Sequence, residues 1–271
     1  MEDTASPSGS DLHEKTSRLV EIAPNRRLHL VCEGHGEPTV ILEAGLGDTA
    51  AAWHLVQTEV ARVTRVCAYD RAGIGLSDPG PLPRTSSAIA DDLHALLHHA
   101  GLRPPYVLVA HSMGALGAML FADRHLAELA GMVLVDPSFA DQAEILAPYL
   151  PQAAPHGDPA TAVGSEAESM SSVSPRFMES DSAQLRAEAR DLGSLPMIVL
   201  TGAETGGTDE GDGRAATGKA LWKAGHDALA ARSRRGVSRT VPRSGHSMQV
   251  DRPDAVAEAI LEVVRQAGSS A

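Results

Sequence analysis

The chain has 271 residues, 43% hydrophobic and 21% charged, enough for one large α/β domain or two small ones. Its formal charge of −12, with no basic cluster to offset it, argues against nucleic acid and anionic membranes as partners. Aromatic residues make up only 3%, so Ala, Val and Leu must build the core. Lys is confined to Lys15, Lys219 and Lys223 while Arg is plentiful, a composition associated with GC-rich bacterial genomes.

Residues 1–17 are polar and acidic, with neither a basic start nor an apolar core, and read as a flexible tail and not a secretory signal. No apolar stretch approaches membrane-spanning length, and the expected location is cytoplasmic. From residue 18 onward strand-like and helix-like segments alternate, which predicts a mostly parallel sheet with helices on both faces. Arg18–Ile22 and Arg27–Cys32 form an antiparallel opening pair across a short Pro24-Asn25 turn. Thr39–Glu43 is an apolar strand ending in the Gly-rich turn Ala44–Asp48, and Ala50–Ala61 a helix. Arg65–Tyr69 is a buried strand, followed by Asp70-Arg-Ala-Gly-Ile-Gly-Leu-Ser-Asp78. Thr85 caps a helix reaching about Ala100, with Ile89, Leu93, Leu96 and Leu97 on one face.

The apolar run Tyr106–Ala110 reads as a fully buried strand that stops abruptly at His111-Ser112-Met113-Gly114, before an Ala-rich helical pattern. Met132–Val135 is another buried strand, ending at Asp136-Pro137. Residues 139–195, rich in Pro, Ser, Ala and acidic residues, are expected to be a small, mostly helical lid inserted into a core of residues 18–138 and 196–271. The sheet pattern resumes at Met197–Leu200, and Gly202–Gly213 reads as a mobile loop. Trp222–Arg234 reads as a helix, Gly236–Val241 as the last strand and Pro253–Gln266 as the last helix. Cys32 and Cys67 each lie in an apolar strand-like run and are expected to be buried thiols, although two strand cysteines facing each other could also bond.

Four short motifs fall, in order, at strand ends: Glu43-Ala-Gly-Leu-Gly47, Tyr69-Asp-Arg-Ala-Gly-Ile-Gly-Leu-Ser77, Ala110-His-Ser-Met-Gly114 and Gly245-His-Ser-Met-Gln249. In this the chain resembles the α/β-hydrolase superfamily over roughly residues 18 to 267. The resemblance implies an eight-stranded sheet, a lid over the site and a Ser…acid…His order along the chain. Ala110 replaces the usual first Gly of Gly-x-Ser-x-Gly, and Ala44 replaces the His of the superfamily's His-Gly-x turn.

A serine hydroxyl is a poor nucleophile until a base takes its proton. Ser112, on the strand-to-helix bend, is the expected nucleophile; the alternative is a helix N-cap serine. His246, between the last strand and the last helix, is the expected base, since an imidazole titrates near neutrality and can accept and return a proton. His111 is given a packing or hydrogen-bonding role. The acid has two leading candidates. Asp136 ends a hydrophobic strand, where a carboxylate is costly unless used, but Asp before Pro137 is also a good helix N-cap. Glu204 adjoins Thr205, which occupies the slot where the superfamily most often has its aspartate; Asp209 or Asp212 could also fold back. The oxyanion hole needs two backbone N–H groups, and alignment with the superfamily implicates Leu46 and Met113. Asp70, Arg71 and the Gly73/Gly75 turn are expected to brace the loops.

No metal or organic cofactor is expected. His94 and His98 have ligand-like i, i+4 spacing, but the sequence suggests no carboxylate beside them. Gly73-x-Gly75 lacks the third glycine and ribose-binding acid of a dinucleotide site. The reading is therefore a serine hydrolase acting on an ester, thioester or lactone of a small, largely apolar molecule. The alternatives are cofactor-free perhydrolase, lyase or cyclase chemistry on the same fold, or a ligand-binding protein without catalysis.

Overall fold

In a computed structural model, residues 15–146, 175–205 and 213–268 are described. Eight strands form one sheet: β1 Thr16–Ala23, β2 Arg26–Glu33, β3 Thr39–Glu43, β4 Val66–Tyr69, β5 Tyr106–His111, β6 Leu129–Val135, β7 Met197–Gly202 and β8 Gly236–Val241. Their spatial order is β1-β2-β4-β3-β5-β6-β7-β8. β1 pairs with β2, and β2 with β4, in antiparallel fashion; every later pairing is parallel. The fold expected from the sequence, a mostly parallel eight-stranded α/β sheet, is the one observed.

The central strands are buried on both faces, which is why they read as continuous apolar runs. Alternation within each run feeds two cores. Leu108, Ala110, Met132, Leu134 and Val199 pack on one face with helices α2 (Ser86–His99) and α3 (Gly114–Arg124). Val107, Val109, Val133, Val135, Ile198 and Leu200 pack on the other with α1 (His54–Val60) and the last helix. That helix, Pro253–Gly268, turns Val256, Ile260 and Val263 inward at helical spacing. With few aromatics available, Trp53, Tyr69 and Phe121 supply the largest buried rings.

Three details depart from the sequence reading. β1 begins at Thr16, inside the expected 1–17 tail, whose first fourteen residues lie outside those described. The helix expected at Trp222–Arg234 spans Arg214–Ala230; Gly213, at φ 72°, starts it early, and Thr217 and Gly218 in its first turns mask the helical signal. Cys32 and Cys67 are joined in a disulfide and are not free thiols. The cause is register: β4 sits beside β2, Cys32 lies directly opposite Cys67, and their Cα atoms are 4.1 Å apart, a narrow antiparallel pair.

Within 139–195 the structure describes two helices, α4 (Gln142–Leu146) and α5 (Pro175–Glu188). The rest of the expected lid, residues 147–174, lies outside the described residues, as do 206–212 of the expected mobile loop. Arg214–Ala230 is α6, Met248–Asp251 is α7 and Pro253–Gly268 is α8. No helix among the described residues is long and apolar enough to cross a membrane.

Candidate active site

The parallel strands β3, β5, β6 and β7 all end at one edge of the sheet, and the singled-out residues gather there. Ser112 follows β5 at φ 49°, in the left-handed region that a non-glycine residue seldom occupies. Its backbone is pinned on both sides: its N–H donates to Val135 C=O at 3.1 Å, and its C=O accepts from Ser138 N–H at 2.9 Å. α3 begins at once with Met113 as its cap, without a side-chain capping bond, so Ser112 is not serving as the helix cap. The small residue two places on has a specific cause. A Cβ at Gly114 would stand 2.3 Å from the Ala44 carbonyl oxygen, so the helix start lies directly against the β3 turn.

Asp136 follows β6, also left-handed, at φ 42°. It does not cap a helix, because none begins at Pro137. Its carboxylate is fully buried, and each oxygen accepts two hydrogen bonds. Oδ1 receives Gly202 N–H at 2.9 Å and Trp222 Nε1–H at 3.2 Å; Oδ2 receives Thr205 Oγ1–H at 3.0 Å and His246 Nδ1–H at 2.7 Å. Those four bonds fill the acceptor capacity of a carboxylate. Burial alone would raise the Asp136 carboxyl; the bonds from His246, Gly202 and Trp222 outweigh it and hold the group below the ordinary carboxylate range.

His246 lies in the loop between β8 and α7. Its Nε2 accepts from Ser112 Oγ at 2.8 Å while Nδ1–H points at Asp136. The imidazole side chain is 45% exposed, so it is reachable from solvent. The structure thus brings Ser112, His246 and Asp136 into one hydrogen-bonded chain. It does not bring Glu204 there: that residue is exposed, its backbone N–H donates to Ser244 C=O, and no hydrogen bond or ion pair joins its carboxylate to His246. Asp209 and Asp212 lie outside the described residues. Thr205, in the slot where an aspartate was sought, turns its hydroxyl onto Asp136 instead.

The loop carrying His246 is held from below by His111. That buried ring donates Nε2–H to His246 C=O at 2.9 Å, and its Nδ1 accepts from Gln249 at 3.3 Å. Burial, reinforced by the nearby His246, lowers the His111 imidazole to about 4, so it is neutral in neutral solution. The hydrogen-bonding role expected for His111 is therefore specific: it fixes the backbone of its neighbour.

The β3 turn is fixed from the other side. Arg71, buried, pairs with Glu43 at 2.7 Å and donates to the carbonyls of Ala44 at 2.6 Å and Gly45 at 2.5 Å. Tyr69 donates its phenol proton to Glu43 as well; burial and Glu43 raise its pKa well above the ordinary value, so it stays protonated. The Gly45–Leu46 peptide is trans, so its carbonyl and N–H point in opposite directions. Holding the Gly45 carbonyl on Arg71 therefore turns Leu46 N–H away from the guanidinium. Met113 N–H stands at the start of α3, where an α-helix leaves donors without partners inside the helix. Asp70 braces the next loop, accepting from Ala50 N–H at 2.7 Å, Leu76 N–H at 3.0 Å and His29 Nδ1 at 2.9 Å.

Sequence reasoning passed over several of these supports. Trp222 and His226 lie on one face of α6 at i, i+4. Trp222 reaches Asp136, and His226 donates Nε2–H to Pro137 C=O at 2.8 Å while bonding Thr201 at 2.7 Å. Their spacing was visible, but only the packing of α6 on β7 shows what they face.

The architecture agrees with known proteins. A sequence model described as "Alpha/beta hydrolase family" matches residues 40–259. Uncharacterized protein YqjL of Bacillus subtilis is 28% identical over 233 residues, covering 85% of this chain and 85% of that protein. Among solved structures, the haloalkane dehalogenase DbeA from Bradyrhizobium elkani superposes with a TM-score of 0.69 at 15% identity, covering 96% of this chain and 100% of that one. A thermophilic esterase from Thermogutta terrifontis gives a TM-score of 0.61 at 22% identity, covering 94% of this chain and 99% of that one. At such identities the likeness shows the fold alone. The sequence match runs from β3 into α8, and on that extent the chain belongs to the α/β-hydrolase family.

Proposed function

We propose that the protein is a serine hydrolase that cleaves an ester, thioester or lactone of a small, largely apolar molecule through an acyl-enzyme. One observation carries this reading: His246 lies 2.8 Å from Ser112 Oγ on one ring nitrogen and 2.7 Å from Asp136 on the other. Ser112 Oγ attacks the carbonyl carbon as His246 Nε2 takes its proton; Asp136 holds the ring in the required tautomer and stabilises the imidazolium. Leu46 and Met113 N–H groups hold the oxyanion. The tetrahedral intermediate expels the alcohol or thiol, which takes the proton from His246 Nε2. Water then loses a proton to the same nitrogen, attacks the acyl carbon, and the acid leaves as the proton returns to Ser112 Oγ.

The apolar substrate preference rests on Trp222, whose ring lies 6.4 Å from that of His246, and on Phe139, whose ring lies 5.5 Å from that of Trp222. Residues 139–195 would form the lid. α5 ties it to the core through Asp181, which accepts from Ser86, while Ser182 donates to Ala140 C=O within the same segment. The Cys32–Cys67 bond weighs against the cytoplasmic location expected from sequence, because cytosolic thiols are kept reduced.

A fluorophosphonate probe and a panel of chromogenic esters of graded chain length test the proposal together. The wild type is expected to be labelled at Ser112 and to turn over short-chain esters, and Ser112→Ala to do neither. An unlabelled wild type would mean a binding protein without catalysis; labelling without turnover of any ester would point to the perhydrolase, lyase or cyclase alternatives.

A further inference from the structure

We propose that His94, His125 and Glu128 form a binding site for one divalent transition-metal ion, best matched by Zn2+, which clips α2 to the connection between α3 and β6. The fold assembles the three side chains from separate segments. His94 lies in the middle of α2, and His125 ends α3. Glu128 closes the single 3-10 turn Leu126–Glu128, where residues three apart eclipse and so share a side with His125. Its N–H donates to His125 C=O at 2.9 Å, which locks that turn.

The donor atoms converge. Glu128 Oε1 lies 3.1 Å from His94 Nε2 and 3.5 Å from His125 Nδ1, and all three ligand atoms fall within 4.8 Å of one another. An ion bound at zinc–nitrogen distances in a tetrahedral array needs its ligand atoms roughly 3.3 Å apart. Two of the three spacings already match; the third, between the two imidazole nitrogens, is within 4.8 Å, and one ring must turn out of the present stack for both in-plane lone pairs to meet one ion. Two imidazoles and one carboxylate are a set zinc accepts, leaving a fourth position for water. Imidazole ligands also favour Ni2+, Co2+ and Cu2+ over Mg2+ or Ca2+.

The two rings lie side by side against the core. They stack at a centroid distance of 3.9 Å and an interplanar angle of 6°, and both lean on the fully buried Phe121, at 6.1 Å and 5.0 Å. The neighbouring cation, Arg124, is engaged by Asp91 and Glu188. All three ligands remain partly exposed, so an ion has a way in. β6 begins at the residue after Glu128, so the site lies at the sheet edge opposite Ser112 and Asp136 and serves to fasten helices, not to act on substrate.

Calorimetric titration of the full chain with ZnCl2, paired with thermal melts, tests this. The wild type should bind one Zn2+ with a low-micromolar Kd and melt at a higher temperature when it is bound. His125→Ala should weaken binding more than about tenfold and abolish the metal-dependent rise. His98→Ala, on the same helix but outside the cluster, should behave as wild type, and MgCl2 should give no heat. Glu128→Gln, which preserves shape, decides the matter should His125→Ala fail to fold. Wild-type-like zinc binding by both ligand variants, or wild-type affinity no tighter than millimolar, would overturn the assignment.

Discussion

Two pairs of left-handed residues turn the chain at the same edge of the sheet and solve the same problem differently. The loop after β4 turns through glycines, Gly73 at φ 83° and Gly75 at φ 55°, which adopt that backbone at little cost. The loops after β5 and β6 turn through Ser112 at φ 49° and Asp136 at φ 42°, where a side chain makes the left-handed conformation costly by about 1 kcal/mol or more each. Glycine would relieve both positions, so the reason for a side chain there is what it does. The glycine loop positions backbone: a Cβ on Gly75 would come within 2.2 Å of Asp70 Oδ2. The side-chain loops present a hydroxyl and a carboxylate to His246 from either side.

Exchanging the two solutions gives the largest effect. Ser112→Gly should lower ester turnover on the order of 10^6-fold, as loss of an activated serine does. The same variant should be more stable by about 1 kcal/mol, because strain is relieved. The reverse change, Gly75→Ser, should leave the candidate triad in place yet cost about 2 kcal/mol or more, as its Cβ meets Asp70. Chromogenic ester assays and urea unfolding read both quantities. A Ser112→Gly protein less stable than wild type would remove the contrast between the loops.

Next in size is the acid. Asp136→Asn keeps the shape but offers His246 Nδ1 an amide that can favour the wrong tautomer, and kcat should fall about 10^4-fold. Turnover within tenfold of wild type would show that the buried carboxylate is not the partner His246 uses.

His111 ties the serine loop to the histidine loop, and its effect is read as stability against pH. Its folded-state pKa of about 4 lies below the ordinary 6.5, so between these values the unfolded chain binds the proton more readily. The neutral ring's contribution is therefore complete above about pH 6.5 and is lost as pH falls toward 4, a change of about 3 kcal/mol. In His111→Gln that component should vanish, so the variant's stability falls less than the wild type's between pH 7 and pH 4 in urea titrations. Parallel pH profiles would mean His111 is not held neutral by its surroundings.

What could be read in advance divides along the same line. The parallel strands were legible because burial on both faces leaves an unbroken apolar run, as in Tyr106–His111. Ser112 and His246 were legible because each sits in a short motif at a strand end. The acid was not, since choosing Asp136 over Glu204 requires knowing that β6 and β7 lie side by side and that Gly202, Thr205 and Trp222 all point donors at one carboxylate. The disulfide stayed hidden for a related reason: β3 intervenes between β2 and β4 in the chain but not in the sheet. His94 shares ligand-like spacing with His98 on its own helix, whereas its actual neighbours come from the end of α3 and the turn after it.

The smallest effect sharpens the view of the third loop, after β7, where Thr205 and Glu204 are adjacent in sequence and opposite in use. Thr205 donates to the same Asp136 oxygen that receives His246 Nδ1–H, while Glu204 faces solvent. Thr205→Val keeps the shape and removes one of four hydrogen bonds to a buried carboxylate. A hydrogen bond to a charged group is worth about 1.5–3 kcal/mol, and part of that should appear as a drop in kcat of about tenfold, since a less well-held acid orients the imidazole less firmly. Glu204→Gln touches none of these contacts and should leave kcat within about twofold. A larger loss from Glu204→Gln than from Thr205→Val would reverse the assignment of the loop and return Glu204 to consideration as the acid.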